Sequence, residues 1–170
     1  YFESGPPRPE SIEFARVVDR GIREAKMIDL SKMCIKPKEK VYLVYVDMHV
    51  LDFCGNLFDA GLLGATMALN SSTVPAKRFG HGEDYKLPVE HWPISITSVK
   101  IENGLLVDPN LDEERVAEAR FTVTTDENGD VRAMQKGLVG KLSFEDIQSM
   151  IKTSQRCGAE LRQKFGLGAN

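Results

Sequence analysis

The sequence is poor in the residues that usually announce a chemistry. It has three cysteines in 170 residues, Cys34, Cys54 and Cys157, and no two stand at the short spacing of a metal knuckle or a redox pair. That excludes a zinc ribbon and a disulfide scaffold, and it fits the reduced thiols of a cytoplasmic protein. The three histidines, His49, His81 and His91, do not cluster. There is no excess charge of one sign: 22 basic residues face 25 acidic ones, a net charge of −3. This excludes a module that grips nucleic acid by bulk charge, although it leaves room for a local basic stripe. No apolar run approaches the roughly 20 residues needed to cross a bilayer, so no membrane partner is expected. No Walker motif or dinucleotide fingerprint occurs, and no cofactor is expected. The first residues have neither the charged start nor the apolar core of a signal peptide; the chain opens as if inside a proline-rich loop. What remains is an ordinary folding composition, 42% apolar and 28% charged. A chain of this length buries roughly 68–70% of its unfolded surface, so it needs no metal or disulfide to fold.

Pro9 allows a helix to begin where its missing N–H costs nothing, and the pattern from Glu10 to Ala25 is helical. Phe14, Ala15, Val17, Val18, Gly21, Ile22 and Ala25 share one arc; Arg16, Arg20 and Arg23 share another. A short helical turn is expected over 29–34. Lys40 to Phe53 reads as a strand, apolar on both faces and therefore central in a sheet covered on each side. Leu57 to Asn70 follows as a buried helix, with Leu62, Leu63, Ala65, Met67 and Leu69 apolar nearly all round and with Gly61 and Gly64 permitting close packing. Residues 71–93 read as connection. Two hairpins follow, one with Asn103-Gly104 between 94–101 and 105–107, the other around Asn128-Gly129 between 119–125 and 131–136, separated by a short acidic helix over 111–118. Ser143-x-x-Asp146 resembles a capping box opening a last helix that runs to about Phe165. The order predicts a two-layer α/β (α+β) domain with a mixed sheet, in halves 1–73 and 94–170 joined by 74–93. The strand at 40–53 lacks partners in its own half, so further strands are expected upstream or on another chain.

Three features could carry chemistry. The arginine stripe, spaced i, i+4, i+7, could grip successive phosphates of one strand; the alternative is a solvated face balanced by Glu10, Glu13, Asp19 and Glu24. Asp108 and Glu114 could hold a metal or move protons, or could simply favour a helix start. The turn Asp52 to Ala60 leads from strand to helix, where free N–H groups attract anions, yet it carries no lysine or arginine. His49 and Asp47 share a strand face but have no nucleophile at matching spacing, Cys54 has no base, and Trp92 beside Pro93 reads as a packing anchor.

The segments Gly5-Pro6-Pro7, Ile12 to Glu24, Val46 to Asp52, Gly55 to Ala60, Leu106 to Pro109 and Ala133 to Gly137, in that order, resemble the ribonuclease PH family and, within it, the non-catalytic ring subunits of archaeal-type exosomes. The resemblance implies a ribonuclease PH-like fold, a six-membered ring alternating active and inactive subunits, RNA-binding cap subunits, and phosphorolytic 3′–5′ degradation of RNA by the catalytic partner. It implies that family strands precede Tyr1, making this a fragment that lacks the N-terminal part. Active relatives bind phosphate in a Gly-Ser/Thr-Arg turn, which falls here on Asn56, Leu57 and Phe58. The apolar pair offers neither donor nor charge, so this site is expected to be degenerate. The relatives' metal- or proton-handling acids fall on Asp108 and Glu114, a second degenerate site. With no catalytic residue and no metal expected, the resemblance implies a non-enzymatic subunit that lends Arg16, Arg20 and Arg23 to the RNA path. The alternatives are an active metal-dependent ribonuclease using Asp108 and Glu114, or a purely architectural subunit.

Overall fold

The structure, a computed structural model, describes residues 6–168. Gly5 of the first motif, and the outermost residues of both halves, lie outside the described residues. Proline at the first helical position starts α1 (Pro9–Glu24), which buries Phe14, Val17, Val18 and Gly21. Ala15, expected on that arc, is exposed: it lies at the rim of the buried stripe. Asp29 caps a 3₁₀ turn at Leu30–Met33, followed by the small antiparallel pair β1 (Cys34–Lys36) and β2 (Lys40–Val41). α2 (Leu57–Ser71) packs across α1 at two reciprocal glycines. A Cβ at Gly21 would meet Leu62 at 2.8 Å, and one at Gly61 would meet the Phe14 ring at 2.5 Å, so each glycine admits the other helix's large side chain. Gly64, expected to do the same, faces open space, and Met67 is exposed rather than buried. The expected connection carries a minimal hairpin, β3 (Thr73–Val74) with β4 (Tyr85–Lys86).

The main sheet is made by β5 (Ile94–Ile101), β6 (Gly104–Val107), β7 (Ala119–Thr125) and β8 (Val131–Gly137), in the order β6-β5-β7-β8. Every ladder among the described residues is antiparallel, not mixed: β5–β6 and β7–β8 are hairpins, and the connection from β6 to β7 passes over β5, so that β7 pairs with β5 antiparallel as well. The first turn sits one residue earlier than the Asn-Gly signal suggested: Ile101 pairs with Gly104, leaving Glu102 and Asn103 as the loop. α3 (Leu111–Val116) begins with an Asn110–Glu113 capping box, and α4 (Phe144–Phe165) with the anticipated Ser143–Asp146 box.

The α/β class stands, and alternation along the strands puts helices on both faces of this sheet. Toward α4 point Ile94 and Ile96, packed near Cys157, Leu161 and Leu167, and Phe121 and Val123, packed on Met150. The opposite face is a row of buried hydroxyls: Ser95 Oγ meets Thr124 Oγ1 at 2.7 Å, and Thr97 Oγ1 meets Thr122 Oγ1 at 2.8 Å. α2 reaches this row through Asp59, which accepts from the Thr97 hydroxyl, and α1 reaches the same face of the sheet through Arg20 to Gln135 and through Glu13 to Arg120. Trp92 is an anchor as expected, with Nε1 donating to Asn70 Oδ1 at 2.8 Å.

The expected central strand is not formed. Beyond β2, residues 42–56 join no ladder among the described residues, and Leu43, Tyr45 and Leu51 are 71%, 79% and 96% exposed. β-forming side chains make a strand only where a neighbour takes up the backbone N–H and C=O groups; Tyr42 N–H still donates to the Met33 carbonyl at 2.9 Å, but no strand among the described residues lies alongside the rest of the run. The same run borders a cavity of about 540 Å³ with Tyr42, Leu43, Val44, Phe79 and His81 in its wall. In this chain by itself, hydrogen–deuterium exchange is expected to find amides 43–51 among the fastest and those of β5 and β7 among the slowest; slow exchange at 43–51 would mean that the run is already paired.

Candidate functional site

The turn before α2 brings both expected degenerate sites to one place. Gly55 has φ +102°, and a Cβ there would lie 2.5 Å from the Pro109 carbonyl oxygen, so the turn sits directly against the 109–110 backbone. Leu111 N–H donates to the Cys54 carbonyl at 3.1 Å and closes the same contact. Asn56 follows in the left-handed region, φ +46°, which asparagine tolerates better than most side chains.

Asn56 is buried and uses all three of its donors on carboxylates. Its backbone N–H donates to Glu114 Oε1 at 2.8 Å. Its side-chain amide donates to Asp108 Oδ1 at 2.6 Å and to Asp59 Oδ2 at 2.8 Å. Asp59, one turn into α2, also accepts from Thr97 N–H at 2.7 Å and Thr97 Oγ1 at 2.8 Å. Asp108, at φ +56°, follows β6, and its N–H donates to the Thr97 carbonyl at 3.1 Å. Three carboxylates from three elements thus surround one amide. None of the three is ion-paired among the described residues, and Asn56 Oδ1 is a buried acceptor without a partner.

This charge balance decides what the turn can bind. Burial pushes the Asp59 carboxyl up to about 7 against the pull of its hydrogen bonds, and the Asp108 charge adds to the rise. A protonated Asp59 stays satisfied: it donates to Thr97 Oγ1, whose hydroxyl turns to Thr122. An incoming phosphate would meet carboxylates at every exit of this turn, and the N–H it would seek already donates to Glu114.

Leu57 and Phe58 sit elsewhere than the sequence pattern placed them. Phe58 turns into the core rather than toward the turn. Phe58 is buried, edge-on to Phe14 with centroids 6.1 Å apart, and the Arg120 guanidinium lies 4.2 Å over its ring. Arg120 pairs in turn with Glu13 of α1 at 2.5 Å. Leu57 is half-buried against the same core. Asp59 and Arg120 were missed by sequence reasoning: an acid in a first helical turn and an arginine in a strand look ordinary until the fold places their neighbours.

The arginine stripe lies on α1 as expected, but its members differ. Arg16 is exposed, with no hydrogen bond or ion pair among the described residues. Arg20 is half-buried and donates to Gln135 Oε1 of β8 at 3.4 Å. Arg23 is exposed and paired with Asp19 at 3.0 Å. Asp47, His49 and Cys54 are exposed, and no described cluster of His, Cys, Asp and Glu is arranged to hold a metal. No described helix is long and apolar enough to cross a membrane.

Comparisons with known proteins bear on the same segments. Residues 2–75 match the 3′ exoribonuclease family, domain 1, and residues 91–157 match domain 2 of that family. The exosome complex component Rrp42 of Thermoplasma acidophilum is 49% identical over 164 residues, covering 96% of this chain and 63% of that protein. The Rrp42 component of Archaeoglobus fulgidus gives the same identity and coverage. Among solved structures, one described as the Archaeoglobus fulgidus exosome with RNA bound to the active site superposes with a TM-score of 0.93 at 49% identity, covering 96% of this chain and 65% of that one. An archaeal exosome core superposes with a TM-score of 0.91 at 48% identity, over 94% of this chain and 65% of that one. The chain spans 63% of the length of the curated relatives named here.

The Asp59 environment sets a pH dependence. Between the ordinary carboxylate value near 3.8 and about 7, the folded chain keeps a proton that the unfolded chain has released. Stability therefore falls as pH rises through that window and levels off above it. Asp59→Asn, which can donate to Thr97 Oγ1 as the protonated acid does, is expected to flatten that fall. Thermal melts of the two proteins from pH 5 to 8 should show the variant gaining on the wild type with rising pH; parallel curves would place the Asp59 titration below this range.

Proposed function

The chain belongs to the 3′ exoribonuclease family, and from that premise we propose that it is a non-catalytic subunit of an exosome core ring. In this reading it alternates with a catalytic ribonuclease PH-like homologue, binds RNA beside that partner's active site, and supports phosphorolytic 3′–5′ degradation without performing it. The single observation that carries the proposal is the turn at Asn56: its donors are committed to Glu114, Asp108 and Asp59, and no lysine or arginine among the described residues pairs with these carboxylates. A carboxylate cage is the inverse of a phosphate site.

Arg16 and Arg20 supply the RNA contact, with Arg23 helping where phosphate displaces Asp19. Guanidinium groups in a row grip successive phosphates without reading bases, which suits degradation of unrelated sequences. The division into halves at 74–93 and the partnership with RNA-binding cap subunits belong to the same reading. So does a cytoplasmic location, to which the unpaired thiols are suited. We place strands from the family length that this chain does not span against the exposed 42–53 run, where they would cover Leu43, Tyr45 and Leu51.

Two measurements test this. Degradation of poly(A) RNA in phosphate is expected to be absent with this subunit alone and strong once its catalytic homologue is added. Robust activity from the subunit alone, abolished in Asp108→Asn, would instead identify a working acidic site. In the assembled ring, Arg20→Glu with Arg23→Glu should weaken RNA binding about tenfold or more and flatten its salt dependence by about 0.7 for each phosphate no longer gripped. An unchanged rate and slope would leave the arginines to architecture.

A further inference from the structure

The three arginines of α1 differ in what neutralises them, and the difference points to the strand beside them. Asp19 cancels much of the Arg23 charge through an ion pair. Glu13, one turn before Arg16, is committed to Arg120 and Phe58 is stacked beneath that guanidinium, so Glu13 does not neutralise the stripe. Arg20 has a different kind of partner. Its Nη1 donates to Gln135 Oε1 of β8, a neutral acceptor. The orientation of that amide is set from the other side, because Gln135 Nε2 donates to the Lys136 carbonyl at 3.3 Å, which turns Oε1 toward Arg20. Gln135 stands on the edge strand of the sheet, opposite Thr122, on the face that α1 covers. Below the pair lies a narrow gap with Val17, Thr122 and Ala133 in its wall, so packing leaves the guanidinium some freedom and the amide supplies the constraint.

We propose that Gln135 is a positioning residue for RNA: it holds the Arg20 guanidinium at the seam between α1 and β8 while leaving its full positive charge available to a phosphate. An acid at 135 would hold Arg20 more firmly and cancel it. An apolar residue would leave it charged and loose. Only an amide or a hydroxyl-bearing acceptor does both jobs, and the amide has the length to reach. The inference rests on the RNA-binding role proposed above for the α1 stripe. It adds that the nucleic acid follows the α1–β8 seam, with the other β8 side chains of that face beneath it.

The test is fluorescence anisotropy with a labelled 12-nucleotide oligoadenylate RNA between 50 and 300 mM KCl. It is run on the ring assembled with the catalytic homologue and compares wild type, Gln135→Glu, Gln135→Met and Arg20→Glu. Gln135→Glu should release about one phosphate from the protein's grip, which lowers the salt slope by about 0.7 and weakens binding about 5-fold at 100 mM salt. Gln135→Met keeps the charge, so its slope should match the wild type while affinity falls about 2-fold because the guanidinium is no longer oriented. Thermal melts check that each variant folds; should Gln135→Glu fail to assemble, the slope and affinity of Gln135→Met decide. If Arg20→Glu weakens binding while both Gln135 variants match the wild type in affinity and slope, the positioning role is wrong and the RNA role of Arg20 survives. If Arg20→Glu also changes nothing, the RNA reading of the stripe fails, and this inference with it.

Discussion

Asn56 donates three hydrogen bonds to three carboxylates, and those carboxylates belong to α2, to the end of β6 and to α3. Remove the amide and nothing else in the vicinity offers a donor to both Asp59 and Asp108. The left-handed backbone at Asn56 aims its N–H at Glu114, and Gly55 lets the turn come against the 109–110 backbone closely enough for that bond to form. Asn56 Oδ1, in the same crowded turn, is buried without a hydrogen-bond partner among the described residues. Leaving such a buried acceptor unsatisfied costs about 1–3 kcal/mol, a cost that the three bonds donated by the same residue offset.

The cage is seated on the polar face of the sheet. A face of serine and threonine between packed layers is stable only if its hydroxyls bond to one another, as Ser95 does with Thr124 and Thr97 with Thr122. That row ends at Asp59, so the state of one carboxyl is tied to the orientation of a hydroxyl in the sheet. The other face is aliphatic and aromatic and carries α4. The two faces divide the labour: one supplies apolar burial, the other fixes the register of α1 and α2 on the strands through directional bonds.

Electrostatics separates two surfaces of the molecule. Acidic groups converge at the α2 turn, and basic ones run along α1. Arg120 stands between, half-buried over Phe58 and paired with Glu13, so α1 is held to β7 by an ion pair whose charges largely cancel. Position 58 therefore faces an existing guanidinium. A second arginine pointed inward at 58 would meet like charge.

Much of this was legible in the residues alone. α1, α4 and both hairpins carry their instructions locally, in Pro9, in the Ser143–Asp146 box and in the Asn-Gly turns, and each formed within a residue or so of its expected place. The order of motifs also placed the chain in its family, and the lack of a lysine or arginine at 56–58 was readable directly. Other features depend on neighbours distant in sequence. Whether 42–53 is a strand depends on partners to bond with; whether Phe58 faces the turn or the core depends on where Phe14 and Arg120 stand; and the shared fate of Asn56, Asp108 and Glu114 depends on a contact spanning more than fifty residues. Local propensity is a property of adjacent residues and survives in the sequence. Charge neutralisation, desolvation and strand pairing are properties of what is close in space, and folding alone brings those groups together.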